Sequence, residues 1–79
     1  MRLDKYLKVS RLIKRRTVAN EACDAGRVLI GGRPARASAE VKTGDEITIL
    51  FGNKETKVRV LKVEETVRKE DTSDLFEYI

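Results

Sequence analysis

The chain has 79 residues, enough for one small domain, and carries a formal net charge of +4 at pH 7. Its single cysteine and lack of histidine exclude an internal disulfide and argue against a zinc or other transition-metal site. Because it has no apolar run of membrane-span length and no signal peptide, we expect a cytoplasmic protein.

The first predicted element is a helix from about residue 3 to residue 10 or 12. One side of this helix is apolar or small, comprising Leu3, Tyr6, Leu7, Ser10 and Ile13. Only Asp4 is acidic among the first sixteen residues, whereas seven are basic, so this segment carries a net charge of +6. The basic residues are Arg2, Lys5, Lys8, Arg11, Lys14, Arg15 and Arg16. A helix that buries one side and presents cations on the other is expected to bind a polyanion. The alternative is a solvated helix face, which is what most charge runs are.

A second helix is predicted from the segment TVANEACDAG, residues 17–26. Thr17 is the predicted N-cap, and Gly26 is expected to end the helix in the left-handed conformation. The predicted apolar stripe consists of Val18, Ala19, Ala22 and Cys23. We interpret Cys23 as core filling, because it lies within this stripe.

The pattern then changes from a helical to an alternating period. Strands are predicted at residues 27–30, 33–35, 46–51 and 56–63, with turns at Gly31-Gly32, Thr43-Gly44-Asp45 and Gly52-Asn53. Pro34 lacks a donor N–H, so its strand should be short and lie at an edge. The predicted core comprises Leu3, Leu7, Val28, Ile30, Val41, Ile47, Ile49, Val58 and Val60, with Leu61 or Val63 also on the inner face.

The predicted fold class is α+β, with two N-terminal helices packed on a small, mostly antiparallel sheet. Residues 1–63 carry a net charge of +8 and residues 64–79 carry −4, so we expect a basic nucleic-acid-binding domain and an acidic C-terminal tail. The tail ends in LFEYI, which fits either a short strand or a helical turn. Its apolar Leu75, Phe76 and Ile79 are expected to pack on the sheet.

This order of features resembles the RNA-binding domain named after small-subunit ribosomal protein S4. The matching segments are RLDKYL, RRTVANEACDAGRVLIGGRPARAS and VKTGDEI, which extend over about residues 2–49. Two positions depart from the usual pattern. Arg15 stands where the family often has Ser, and Gly31-Gly32 replaces Asn-Gly, which preserves a turn that needs positive φ.

The resemblance implies that the two helices and the turn between them bind RNA, which places the predicted site on the basic segment. Arginine suits this role because it binds phosphate through two parallel hydrogen bonds. The predicted RNA-binding residues are Arg2 and Arg16 first, then Arg11, Lys14, Arg15 and Lys5. Possible rim contacts, equally explained as solvated surface charges, are Lys8, Arg27, Arg33 and Arg36.

Two residues within the first helix invite structural interpretations. Asp4 is expected in the first turn, where it would pair with a neighbouring cation and orient it. It has no partner carboxylate or histidine for acid–base chemistry. Tyr6 is expected to be partly buried, in the core or at the helix edge near RNA.

The sequence argues against an enzyme and predicts no cofactor, since it offers no nucleophile with an adjacent base and no phosphate-binding glycine loop. A protein-interaction module leaves the basic segment unexplained, so a structured-RNA binder is favoured. Within the S4-type family, the chain resembles the RqcP group of bacterial ribosome-associated quality-control factors.

That resemblance implies binding to the obstructed large ribosomal subunit, through large-subunit ribosomal RNA and peptidyl-tRNA. It also implies support for C-terminal alanine tailing by an RqcH-type factor, with the protein monomeric off the ribosome. The alternative within the family is a large-subunit recycling factor similar to the fifteen-kilodalton heat-shock protein, which generally has a longer, basic C-terminal extension.

Overall fold

The computed structural model describes residues 1–64 and 74–79. Within these ranges the chain forms two helices followed by five strands: α1 (Leu3–Val9), α2 (Arg16–Asp24), β1 (Val28–Ile30), β2 (Arg33–Pro34), β3 (Glu46–Phe51), β4 (Lys54–Val60) and β5 (Phe76–Tyr78). No helix in these ranges is long and apolar enough to cross a membrane. Residues 65–73 of the predicted acidic tail lie outside the described residues.

The strands form one antiparallel sheet in the order β2-β1-β3-β4-β5. The helices and the inner face of the sheet enclose a single core, so the predicted α+β fold is confirmed. Every residue predicted for the core is buried except Ile30, which is partly buried. The core also includes Tyr6, Ile13, Ala19, Ala22, Cys23, Ala37 and Leu75.

Helix α1 ends at Val9, earlier than predicted, because the backbone turns at the next two residues. Ser10 is the C-cap, and its buried hydroxyl donates to the Leu7 carbonyl at 3.2 Å. Arg11 then adopts φ 64°, the left-handed conformation that breaks the helical path. Residues 11–15 therefore form a turn between the two helices rather than a continuation of α1.

Helix α2 differs from the prediction at its beginning and agrees at its end. It begins at Arg16, and the N-cap position is occupied by Arg15 without a side-chain cap, so the prediction of Thr17 as the cap was wrong. The end is confirmed: Gly26 has φ 76° and its N–H bonds to the Cys23 carbonyl. The following N–H bonds to the Ala22 carbonyl at 2.9 Å, which completes a Schellman motif.

Two apolar positions lie outside the predicted core faces. Val18 was predicted in the apolar stripe of α2 but is 41% exposed, since the helix packs through Ala19, Ala22 and Cys23 instead. Strand β4 begins at Lys54 and ends at Val60, so Leu61 follows the sheet and is 39% exposed. Of the two predicted alternatives, Leu61 and Val63, it is Val63 that packs partly against the core.

The predicted hairpin turns are confirmed. Gly31 and Gly32 both have positive φ and connect Ile30 to Arg33, its partner in the register. Phe51 pairs with Lys54 across Gly52-Asn53, and Gly52 has φ 56°. Pro34 lies in the edge strand β2, as its missing donor requires.

The C-terminal residues complete the sheet as strand β5, which pairs with β4. Leu75 is buried, Phe76 packs partly against the core, and Ile79 remains 48% exposed. The Tyr6 hydroxyl donates to the Leu75 carbonyl at 2.7 Å, so the end of the chain is joined directly to α1. Tyr6 is fully buried, contrary to the expected partial burial, because this bond satisfies its hydroxyl inside the core.

Candidate RNA-binding surface

A buried carboxylate organises the predicted binding residues. Asp4 is 2% exposed, and its two oxygens accept hydrogen bonds at 3.2 Å from Nε and Nη2 of Arg2. Asn20 donates to Oδ2 at 3.2 Å, and Nε of Arg16 lies 3.4 Å from the same oxygen. We call Arg2, Asp4, Arg16 and Asn20 the Asp4 cluster. The predicted pairing of Asp4 with a neighbouring cation is confirmed, and the carboxylate holds two arginines rather than one.

The backbone fixes Asp4 at the beginning of α1. The N–H groups of Leu3 and Asp4 donate to the carbonyls of Ala39 and Ala37, at 2.8 and 3.1 Å. The first turn of a helix has no intrahelical partners for these donors, so the loop around residues 37–39 takes that role. The Met1 ammonium group also contacts the Glu40 carboxylate at 2.9 Å, which anchors the chain just before α1.

Hydrogen bonding keeps Asp4 ionised. Burial by itself raises the pKa of this carboxyl group, but the hydrogen bonds that it accepts outweigh burial and hold its pKa below the ordinary value. One negative charge therefore lies between two positive charges. The side chains of Arg2 and Arg16 remain 49% and 47% exposed, so the cluster presents a net positive charge to solvent.

The arginines of the cluster occupy electrostatically unfavourable positions. Arg2 is the N-cap residue of α1 and Arg16 is the first residue of α2. Helix N-termini carry a partial positive charge and normally favour acidic side chains, yet the first turn of α2 contains none. Asp4, in the first turn of α1, offsets this repulsion. Among the described residues, the Nη1 amino group of neither arginine has a hydrogen-bond partner, so each can donate to an external acceptor such as phosphate.

Among the other predicted RNA-binding residues, Lys5 contacts the cluster through its backbone N–H, which donates to Oδ1 of Asp4 at 2.8 Å. Arg11, Lys14 and Arg15 are exposed in the turn between the helices, and Lys5 lies partly exposed on α1. Lys8 is exposed near the end of α1, while Arg27, Arg33 and Arg36 are exposed around β1 and β2. Their contacts with RNA stay predictions.

Asn20 is the member of the cluster that sequence reasoning missed. It lies four residues after Arg16, one helical turn along α2, which brings both side chains to the same carboxylate. The available signal was this spacing, which is common in helices and therefore unspecific. With Thr17 and Glu21, the cluster lines a shallow surface depression of about 440 Å³.

The titratable groups within the core are unsuited to chemistry at neutral pH. Burial, assisted by Asp4 and Asp24, raises the pKa of the Cys23 thiol to about 11, so the thiol remains protonated. Burial also raises the pKa of Tyr6 to about 12. The interpretation of Cys23 as core filling is confirmed by its 3% exposure. Among the described residues, no group of His, Cys, Asp or Glu is arranged to hold a metal ion.

Comparison with known proteins agrees with this geometry. The pattern of the S4 domain matches residues 1–47, which include both helices and the Asp4 cluster. The chain belongs to the S4 domain family. The family resemblance read from the sequence is thereby confirmed.

Full-length relatives extend the similarity beyond the S4 domain to nearly the whole chain. The chain is 57% identical over 77 residues to the RQC P-site tRNA stabilizing factor of Halalkalibacterium halodurans, covering 98% of this chain and 88% of the relative. It is 53% identical over 76 residues to the factor of the same name from Bacillus subtilis, covering 96% and 88%. The trimeric structure of Vibrio cholerae heat shock protein 15 superposes with a TM-score of 0.92 and 29% identity, covering 100% of this chain and 81% of that protein.

Proposed function

We propose that this chain is an RNA-binding factor of ribosome-associated quality control that stabilises tRNA in the P site of the large ribosomal subunit. The observation that carries the proposal is the 57% identity, over 98% of the chain, to a relative named for that role. The Asp4 cluster supports it, because its two half-exposed arginines give the S4 domain a net positive surface.

The proposed mechanism is non-covalent. Arg2 and Arg16 donate to RNA phosphates through the Nη1 groups that Asp4 leaves available, while Asp4 holds both guanidinium groups in place before RNA arrives. This arrangement reduces the side-chain entropy that binding would otherwise cost. Arg11, Lys14 and Arg15, in the turn between the helices, and Lys5 on α1 add further phosphate contacts.

We propose that the bound RNAs are large-subunit ribosomal RNA and peptidyl-tRNA on an obstructed subunit. A protein that contacts both at once makes release of the tRNA costlier, because dissociation then breaks two sets of contacts. This would give an RqcH-type factor time to add a C-terminal alanine tail to the stalled chain. The factor itself would act without catalysis, as a cytoplasmic monomer when it is off the ribosome.

Sedimentation of purified large subunits tests this function directly. The protein should co-sediment with subunits that carry peptidyl-tRNA and bind vacant subunits more weakly. An Arg2→Gln/Arg16→Gln variant should lose most of this binding. A Lys54→Gln/Lys57→Gln variant removes the same charge from the β3–β4 hairpin and should behave like the parent. Equal binding of all three proteins would contradict the proposal.

A heat-shock-type recycling factor is the second candidate, favoured by the TM-score of 0.92 to heat shock protein 15. The two candidates differ in the step after binding. A quality-control factor should increase alanine tailing in a reconstituted reaction that contains an RqcH-type factor. If subunits bind the protein but tailing does not change, the recycling role is favoured.

A further inference from the structure

The depression beside the Asp4 cluster contains hydrogen-bond acceptors as well as cations. Its walls are formed by Arg2, Asp4, Arg16, Thr17, Asn20 and Glu21. Its volume of about 440 Å³ lies within the range of small-molecule sites, about 300–1,000 Å³. A phosphate group is a negatively charged acceptor, so a site for phosphate alone needs only donors and positive charge. The carboxylate of Glu21 opposes such a ligand and suits a group that donates hydrogen bonds.

Glu21 has no side-chain partner in the described part of the chain. Its side chain is exposed and forms neither an ion pair nor a hydrogen bond there. The two arginines of the depression contact Asp4 instead, at 3.2 and 3.4 Å. Glu21 follows Thr17 by one helical turn on α2, so these two side chains lie on the same face of the helix. A free carboxylate therefore lies at the edge of the surface that attracts RNA.

Asn20 supplies a second acceptor. Its Nδ2 donates to Asp4 at 3.2 Å, and because the ionised carboxylate can only accept, the amide cannot be reversed. This orientation leaves Oδ1 of Asn20 without a partner among the described residues. The depression therefore offers two acceptors beside two guanidinium groups, which suits a ligand that donates hydrogen bonds and also carries negative charge. A nucleotide has both properties, in its base and in its phosphate.

We infer that this depression binds an unpaired guanine of the RNA and that Glu21 is the residue that selects it. The N1–H and N2 amino groups of guanine are neighbouring donors on one edge of the base, so they can bind both oxygens of a carboxylate in parallel. Adenine, cytosine and uracil each place an acceptor next to the donor on that edge, and a carboxylate repels this acceptor. The edge is accessible to protein only in unpaired nucleotides.

The arginines complete the recognition of the same nucleotide. Arg2 and Arg16 donate to its phosphate or to the next one, and a guanidinium plane can stack on the exposed base. This inference rests on the proposed RNA-binding function. It adds nucleotide selectivity to a surface whose phosphate contacts alone carry no sequence information.

Removal of the Glu21 charge distinguishes this role from that of a solvated surface charge. Removing a carboxylate that does not contact RNA makes the surface more positive and tightens binding to a polyanion. Glu21→Gln should instead weaken binding to large subunits that carry peptidyl-tRNA by roughly tenfold, because a bidentate base contact is lost. Asp24→Asn removes one negative charge from the other end of α2 and should bind at least as tightly as the parent. Glu21→Asp keeps the carboxylate and should retain part of the affinity.

Chemical probing of the bound subunits identifies the base. Kethoxal reacts with N1 and N2 of unpaired guanine, which are the two atoms assigned to Glu21. At equal occupancy, measured by co-sedimentation, the parent and Asp24→Asn should protect a guanine that Glu21→Gln leaves reactive. The melting temperature of Glu21→Gln should match that of the parent, because the side chain is exposed and has no described partner.

Two results would overturn the inference and leave the proposed function intact. The first is a Glu21→Gln variant that binds the subunits as tightly as the parent or more tightly. The second is a pattern of protected guanines that does not differ between the parent and Glu21→Gln. A parent that does not bind large subunits would overturn the proposed function as well.

Discussion

The helical end and the sheet end of this protein balance their charges in different ways. In the Asp4 cluster, Arg2 and Arg16 share one buried carboxylate, so a positive charge is left over. On the sheet, Lys57 lies 3.4 Å from Glu55, and Arg59 lies 3.8 Å from Glu77. These cations each have their own half-exposed partner. The candidate binding surface therefore differs from the sheet in its excess of positive over negative charge, and not in its number of cations.

Burial adds a second difference between the two regions. The sheet pairs are exposed on both sides, so water and salt screen them and each stabilises the fold by at most about 1 kcal/mol. Asp4 is removed from water, and its hydrogen bonds to Arg2 and Asn20 must compensate for that loss. The Asp4 cluster is thus fixed in one geometry, whereas the sheet pairs can exchange partners with water.

Deleting residues 74–79 should have the largest effect, because it removes β5 and with it Glu77, the partner of Arg59. The unfolding free energy should fall by roughly 2–4 kcal/mol, mainly through loss of the buried Leu75 side chain. RNA affinity, measured well below the melting temperature, should change little because β5 is not part of the Asp4 cluster. Thermal melts and binding titrations on the same truncated protein measure both quantities.

If the truncated protein does not fold, the milder variant Tyr6→Phe tests the same attachment of the C-terminal residues to α1. It removes only the hydroxyl that donates to the Leu75 carbonyl and should cost about 0.5–1.5 kcal/mol of stability. If deletion of residues 74–79 instead leaves stability unchanged and tightens RNA binding, with a gain that fades in salt, the tail acts as an electrostatic lid.

Single alanine substitutions should weaken RNA binding at the helical end of the protein and not at the sheet end. Arg2→Ala and Arg16→Ala should each weaken RNA binding by roughly 1–3 kcal/mol, provided that each arginine makes a charge-assisted contact with phosphate. Lys54→Ala and Lys57→Ala, in the β3–β4 hairpin, should be nearly silent. Binding should also weaken steeply as salt rises. Equal losses at the hairpin would show that the binding surface has been misplaced.

The sequence predicted the parts of this structure that depend on local periodicity and turn chemistry. Gly26 and the Gly31-Gly32 turn were identifiable because few other residues tolerate positive φ. The left-handed Arg11 was not identifiable, since arginine gives no signal for that conformation. The exposure of Val18 and the complete burial of Tyr6 also depend on tertiary packing, which no local pattern encodes.

Much the same division applies to the binding surface. The sequence predicted that Asp4 would orient a neighbouring cation, because a carboxylate in the first turn lies among basic residues. It did not predict that Arg16 and Asn20, more than ten residues away, reach the same carboxylate. That convergence depends on how α2 packs beside α1, which is a tertiary property.

Replacing the shared carboxylate tests whether Asp4 holds the two arginines in place. Asp4→Asn keeps the shape but removes the charge and directs an amide donor at the cluster, so it should cost about 1–2 kcal/mol of stability at pH 7. The pKa of Asp4 is lowered in the folded state, so its stabilisation is present above the unfolded pKa and is lost as pH falls through the folded pKa. Parent and variant should therefore converge in acid. A stability gap that does not change with pH would mean that the charge of Asp4 contributes nothing.

The smallest predicted effect concerns Arg11, which adopts the left-handed conformation at the position after the C-cap of α1, where glycine is usual. Arg11→Gly relieves the strain but makes the unfolded chain more flexible, so stability should rise by only about 0.5 kcal/mol. RNA affinity should fall, because the exposed cation is lost.

Two matched variants separate the backbone of Arg11 from its charge. Arg11→Ala keeps the strained backbone and removes the cation, so it should lose as much RNA affinity as Arg11→Gly without gaining stability. Arg11→Lys keeps the charge and should retain most of the affinity. We expect Arg11→Gly to be more stable than the parent and yet to bind RNA more weakly. This result would show that the arginine side chain contributes to binding at a position where the backbone is strained. If Arg11→Gly binds RNA as tightly as the parent, Arg11 is not part of the binding surface. If it is less stable than the parent, the left-handed backbone at this position is not strained.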